Sequence, residues 1–154
     1  MNYNQRYEGP MTRALLYAHR AQTDGDVPVG ALVLDPSGKI VGSGWNRREV
    51  DSDPTAHAEV IALREAGAAL GTWNLSGCTL VVTLEPCTMC AGAVVSSRIS
   101  TLVFGAWDPK AGACGSVRDV VRDSRLNHEV EVVPGVLEDE VTAQLRAFFA
   151  ARRS

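Results

Sequence analysis

Residues 78–96, CTLVVTLEPCTMCAGAVVS, decide the fold of this chain. Cys78 to Thr83 is a β-rich run of the kind that forms a buried strand. The segment Leu84-Glu85-Pro86-Cys87-Thr88-Met89-Cys90 then opens a helix expected to reach about Ser96, with Pro86 suited to a first helical turn. A strand that feeds directly into a helix is the repeating step of an α/β protein. Working outward, apolar residues at helical spacing predict a helix over 11–22, before a turn at Asp24-Gly25-Asp26. Val29–Leu34 and Lys39–Trp45 read as two strands joined by the turn formers Asp35-Pro36-Ser37-Gly38. An alanine-rich helix is expected over 57–70, strands over 102–106 and 129–133, and a closing helix over 138–152. A hairpin followed by alternating helix and strand predicts a mixed sheet with helices on both faces.

Two short motifs carry the chemistry. Thr55-Ala56-His57-Ala58-Glu59 reads H-x-E, and Pro86-Cys87-Thr88-Met89-Cys90 reads P-C-x-x-C. One imidazole and two thiolates supply three zinc ligands and leave the fourth tetrahedral position open for water. Glu59 stands two residues from His57, placed to face that water without binding the metal. Three ligands, an open position and a carboxylate describe metal-assisted hydrolysis, with Glu59 as general acid and base. Taken singly, each half is weak. A lone C-x-x-C can be a redox pair or half of a structural zinc site, and a lone histidine in an alanine-rich helix is commonly a core residue. A structural site would close its shell with a fourth Cys or His. The spare candidates His19, His128, Cys78 and Cys114 stand at no short ligand spacing from either motif. A helix N-terminus at Cys87 also favours thiolate.

The whole chain sets bounds on this reading. At 154 residues, with 45% hydrophobic and 21% charged residues, it is expected to form one domain over 1–154 with a core of its own. No apolar run reaches a membrane span, and the start, MNYNQRYEGP, lacks a signal-peptide layout, so a cytoplasmic protein with no membrane partner is expected. The net charge of −3 argues against a general nucleic-acid binder but not against a local basic patch.

Longer stretches resemble a known family. VPVGA (27–31), GWNR (44–47), DPTAHAE (53–59), TLEPCTMCAGA (83–93), SRI (97–99), VFGAWDPKAGACGS (103–116) and the terminal LRAFFAARR are similar to bacterial tRNA-specific adenosine deaminases. These belong to the cytidine deaminase-like superfamily, and the likeness runs from about Tyr7 to Arg153. The resemblance implies a three-layer α/β/α fold with a five-stranded mixed sheet. It implies a CMP/dCMP-type deaminase domain holding one zinc per subunit on His57, Cys87 and Cys90, with Glu59 moving protons. The implied reaction turns the wobble adenosine of an arginine tRNA anticodon into inosine, and the implied assembly is a homodimer bound to the anticodon loop.

The resemblance also makes Asn46, Asp108 and Lys110 substrate contacts, with Asn46 on the flipped base, Asp108 at a ribose hydroxyl and Lys110 at a phosphate. Residue type alone reads them more plainly: Asn46 as a turn residue, the other two as solvated loop charges. Trp107 departs from the polar or charged residue of the family pattern, and serves either as a stacking surface or as a dimer contact. Phe148-Phe149 is core packing or a wall beside the anticodon loop. Basic residues gather late, at Arg98, Lys110, Arg118, Arg122, Arg125, Arg146, Arg152 and Arg153, diluted by acids that make a solvated face the plain reading. Two rival functions share the zinc hardware. One is deamination of a free base or small nucleotide, such as guanine or cytosine. The other is a silent partner subunit that keeps zinc for folding, which the presence of Glu59 opposes.

Overall fold

The computed structural model describes residue 2 and residues 4–153. Five strands form one sheet: β1 (Gly30–Leu34), β2 (Ile40–Trp45), β3 (Thr79–Leu84), β4 (Thr101–Ala106) and β5 (Glu131–Val133). Their order across the sheet is β2-β1-β3-β4-β5. β1 runs antiparallel to β2 and β3, and the pairs β3–β4 and β4–β5 are parallel. The sheet is therefore mixed, as expected. Four helices cover it: α1 (Glu8–Thr23), α2 (Ala58–Leu70), α3 (Thr88–Ser96) and α4 (Glu138–Arg153).

Burial sorts the helices into two layers. Ala58, Ala62 and Ala66 of α2 and Val94 of α3 pack with Val33, Leu80, Val82, Leu102 and Phe104 on one face. Met11 and Ala14 of α1 and Val141 of α4 pack with Leu32, Val81 and Val103 on the other. Alternate residues of β3 thus enter opposite cores, which follows from the two-residue period of a strand. Small residues set the depth of α2. A Cβ added at Gly44 would lie 2.6 Å from the Ala58 carbonyl oxygen, so the strand can take this helix only with hydrogen at that position. That close seating carries the N-terminus of α2, with His57 and Glu59, to the sheet edge.

Several boundaries differ from expectation. α1 begins at Glu8, with Pro10 in its first turn, where a missing N–H is tolerated. Cys87 is the N-cap of α3, so Pro86 lies before the helix rather than in its first turn. There it steers the chain from β3 into the cap. A short 3-10 turn at Val120–Arg122 had no signal in the pattern. Among the described residues no helix is long and apolar enough to cross a membrane.

Candidate active site

His57 and Cys87 both sit at helix N-caps in extended backbone, with ψ of 150° and 179°. Neither uses its side chain to cap the helix. Ser, Thr, Asp or Asn would suit such positions better, so these residue types give up local helix stability. Their reward is convergence. His57 Nδ1 lies 3.6 Å from Cys87 Sγ and 3.4 Å from Cys90 Sγ. One ligand atom from each of the three residues falls within 4.8 Å of the others. In a zinc tetrahedron, sulfur at about 2.3 Å and nitrogen at about 2.0–2.1 Å stand roughly 3.5 Å apart. The donor set therefore fits zinc in spacing as well as in chemistry. His19, His128, Cys78 and Cys114 lie outside the group. Within the triad, Cys90 donates to Cys87 and pulls its thiol down to about 3, against the cost of burial. The same bond, followed by burial, holds Cys90 above the usual thiol range. His57 is raised, chiefly by its hydrogen bond with Cys87. A lowered thiol at Cys87 suits it to bind a metal as thiolate.

Glu59 occupies the first turn of α2, only 4% exposed, and lines with His57 and Cys87 a cavity of about 200 Å³, with Cys90 buried behind them. Burial pushes its carboxyl from an ordinary 4.5 up to about 7, while its own backbone N–H and the charge on His57 oppose the rise. A carboxyl that changes state near neutrality beside a metal-type cluster is placed to carry protons.

Two loops complete the walls. The first follows β2. Asn46 lines the cavity, yet its amide is already engaged: Nδ2 donates to the Val27 carbonyl at 3.2 Å, and Oδ1 accepts from the Arg48 N–H at 3.2 Å. Asn46 is therefore a turn staple and a cavity wall at once. Its remaining donor and acceptor capacity can still face a base. Buried Asp26 holds the next residues, accepting from the amides of Glu49 (3.0 Å) and Val50 (3.4 Å).

The second loop follows β4 and wraps a buried carboxylate that the sequence reading gave no role. Glu85, 2% exposed, accepts from the amides of Asp108 (2.9 Å), Cys114 (3.0 Å) and Ser116 (3.1 Å), and from the Ser116 hydroxyl (2.6 Å). A Cβ at Gly112 would overlap this carboxylate. The signal was present, in an acid two residues before Cys87 and a loop rich in glycine. Only the fold reveals that one serves the other. Asp108 lines the cavity, but its carboxylate accepts from Lys110 N–H (3.0 Å) and Ala111 N–H (3.2 Å), forming the turn that carries it.

Lys110 points elsewhere. It lines a neighbouring groove of about 590 Å³ with Trp107, Arg146, Phe149, Arg152 and Arg153. Of the eight late basic residues, these four gather, whereas Arg122 pairs with Asp119 and Arg125 with Asp123, and Arg98 lies over Trp73. Phe148 is core, 5% exposed, whereas Phe149 is 44% exposed and lines the groove. Trp107 packs edge-on against Phe104 at 4.9 Å and remains 39% exposed. Cys78 and Cys114 are buried; burial raises both thiols.

Residues 4–106 match the family described as "Cytidine and deoxycytidylate deaminase zinc-binding region". The tRNA-specific adenosine deaminase of Bacillus subtilis is 50% identical over 143 residues, 93% of this chain and 88% of that protein. That of Haemophilus influenzae is 50% identical over 146 residues, 95% of this chain and 84% of that protein. A solved structure from work on A-to-I editing by tRNA:A34 deaminases superposes with a TM-score of 0.84 at 40% identity, covering 88% of this chain and 97% of that one. The guanine deaminase from Nitrosomonas europaea superposes at 0.79 with 31% identity, covering 93% and 84%. The chain belongs to the zinc-binding cytidine and deoxycytidylate deaminase family, beside the tRNA-specific adenosine deaminases, and is a hydrolytic zinc enzyme.

Proposed function

We propose that this chain, as one deaminase domain, converts adenosine to inosine at the wobble position of an arginine tRNA anticodon. One observation carries the reading: His57 and Cys87 of the metal-type triad and buried Glu59 line a small cavity that lies beside a groove lined by four cations and two exposed aromatic rings. A base taken out of its stack suits the cavity, and a polyanionic strand suits the groove. The 50% identity to two tRNA-specific adenosine deaminases supports the same substrate.

His57, Cys87 and Cys90 would hold the zinc, which when bound makes water ionise near neutral pH. Glu59 would take a proton from the attacking water and deliver it to the adenine ring nitrogen. The C6–O bond forms; Glu59 then takes the proton of the new C6 hydroxyl and passes it to the exocyclic amine, which leaves as ammonia when the C6–N bond breaks. Water and adenosine are consumed; inosine and ammonia are released. Asn46 borders the base, Asp108 the sugar, and Lys110 a phosphate outside the cavity. Pairing in a homodimer is supported by an apolar groove of about 560 Å³ between α2 and α3, beside Trp73, which is 67% exposed. Light scattering that reports a fully active monomer would remove the dimer. A tRNA substrate supports a cytoplasmic location.

The rival reading, deamination of a free base such as guanine, draws on the likeness to a guanine deaminase. It leaves the basic groove without a use. Incubation with an anticodon stem-loop carrying wobble adenosine decides between them. Inosine in the RNA is the expected product. A much better rate on free guanine or cytosine would sink the RNA reading.

A further inference from the structure

Arg48 and Arg47 are neighbours with opposite fates. The Arg47 guanidinium is committed to Asp51 through two hydrogen bonds, of 2.8 and 2.9 Å, and lies over the Trp45 ring. The Arg48 side chain is exposed and makes no ion pair among the described residues. Its backbone is nonetheless held firmly. The Arg48 N–H donates to Asn46 Oδ1, its carbonyl accepts from the Asp53 N–H at 3.1 Å, and buried Asp26 grips the two following amides. A free cation on a fixed backbone has a defined reach.

That reach covers the mouth of the reaction cavity. Arg48 is the single Lys or Arg lining it, while Glu59, Glu85 and Asp108 line the same walls. Arg48 also lines a second concavity, of about 210 Å³, with Phe149 and Arg152. Phe149 and Arg152 in turn line the basic groove of α4. Shared walls therefore join the three concavities, and Arg48 stands at the step from the cavity to α4. A neutral base gains little from an exposed guanidinium at the edge of the cavity. A phosphodiester gains a charge-assisted contact whose planar fork matches two of its oxygens.

We propose that Arg48 binds a phosphodiester next to the target nucleotide and makes the enzyme favour a strand over a free nucleoside. This rests on the RNA reading above. The contact fixes the position of the strand without reading its sequence.

The test compares wild type, Arg48→Ala and Arg48→Lys on a wobble-adenosine stem-loop and on free adenosine, with zinc content and thermal melting as controls. In Arg48→Ala the ratio of kcat/KM for stem-loop to that for adenosine should fall about tenfold. The slope of log Kd for the stem-loop against log salt should shrink by about one, as expected for one lost phosphate contact. Arg48→Lys should restore the slope and only part of the ratio, because its ammonium keeps the charge and loses the fork. A ratio and slope equal to wild type would overturn the proposal while leaving the RNA reading intact. So would a parallel loss on both substrates, which would place Arg48 in the base pocket. Wild-type enzyme that ignores the stem-loop and acts on free guanine would sink both.

Discussion

Glu59 and Glu85 lie on two walls of one cavity, and their surroundings could hardly differ more. Each is buried, and each stands two residues from a member of the triad: Glu59 after His57, Glu85 before Cys87. Glu85 receives four hydrogen bonds, three from the backbone of one loop. Glu59 sits in the first turn of α2, where desolvation outweighs its favourable contacts and lifts its carboxyl to about 7. Burial by itself does not make a carboxylate catalytic. What decides is how many donors meet it: a well-served carboxylate holds structure, and an under-served one can trade protons.

The largest effect should come from breaking the triad that both walls frame. Cys87→Ala is expected to lower zinc from about one per chain to near none and to remove activity, with some loss of fold stability. Metal analysis checks it, and full zinc occupancy in the variant would refute the ligand set.

Next comes Glu59, the proposed proton carrier. Glu59→Gln should keep zinc and the fold while turnover falls by on the order of a hundred- to ten-thousand-fold. Loss of zinc in this variant would turn Glu59 into a ligand and dissolve the contrast with Glu85.

A pH series on metal-free protein sharpens the contrast further. Below 4.5 the Glu59 carboxyl is protonated both folded and unfolded; between 4.5 and about 7 only the folded chain keeps the proton. Its contribution to stability is therefore present at low pH and is lost as pH rises through that window, by up to about 1.4 kcal/mol per pH unit. The difference between wild-type and Glu59→Gln urea midpoints isolates this slope. Parallel profiles for the two proteins would show that Glu59 keeps an ordinary carboxyl.

Glu85→Gln should have the smallest effect. One oxygen survives, but an amide NH₂ now faces backbone donors, at a cost of about 1–3 kcal/mol. Slackening of the 107–117 loop should lower kcat/KM by less than Glu59→Gln does. If Glu85→Gln instead abolished turnover at unchanged stability, the two glutamates would not be opposites.

Much of this was legible in the chain. The triad and Glu59 were readable because each motif is local: helix entry fixes the relation of His57 to Glu59 and of Cys87 to Cys90 over two and three residues. Strand and helix types were readable from apolar spacing, and the core split of β3 followed from alternation. Asn46 and Asp108 were found at the cavity, but not their prior engagement as turn staples. Lys110 lay beyond the cavity, in a groove that closes only when α4 returns to the end of β4.

The chain by itself determined the two halves of the metal site, Cys87 with Cys90 and His57 with Glu59, since neighbours in sequence stay neighbours in any fold. Only the tertiary structure decided the strand order, the grip of Glu85 on a loop 23 to 31 residues away, and the place of Arg48 between the cavity and α4. Those arrangements depend on packing between segments far apart in the chain. Composition and spacing carry no record of that packing until two cores have closed around the sheet.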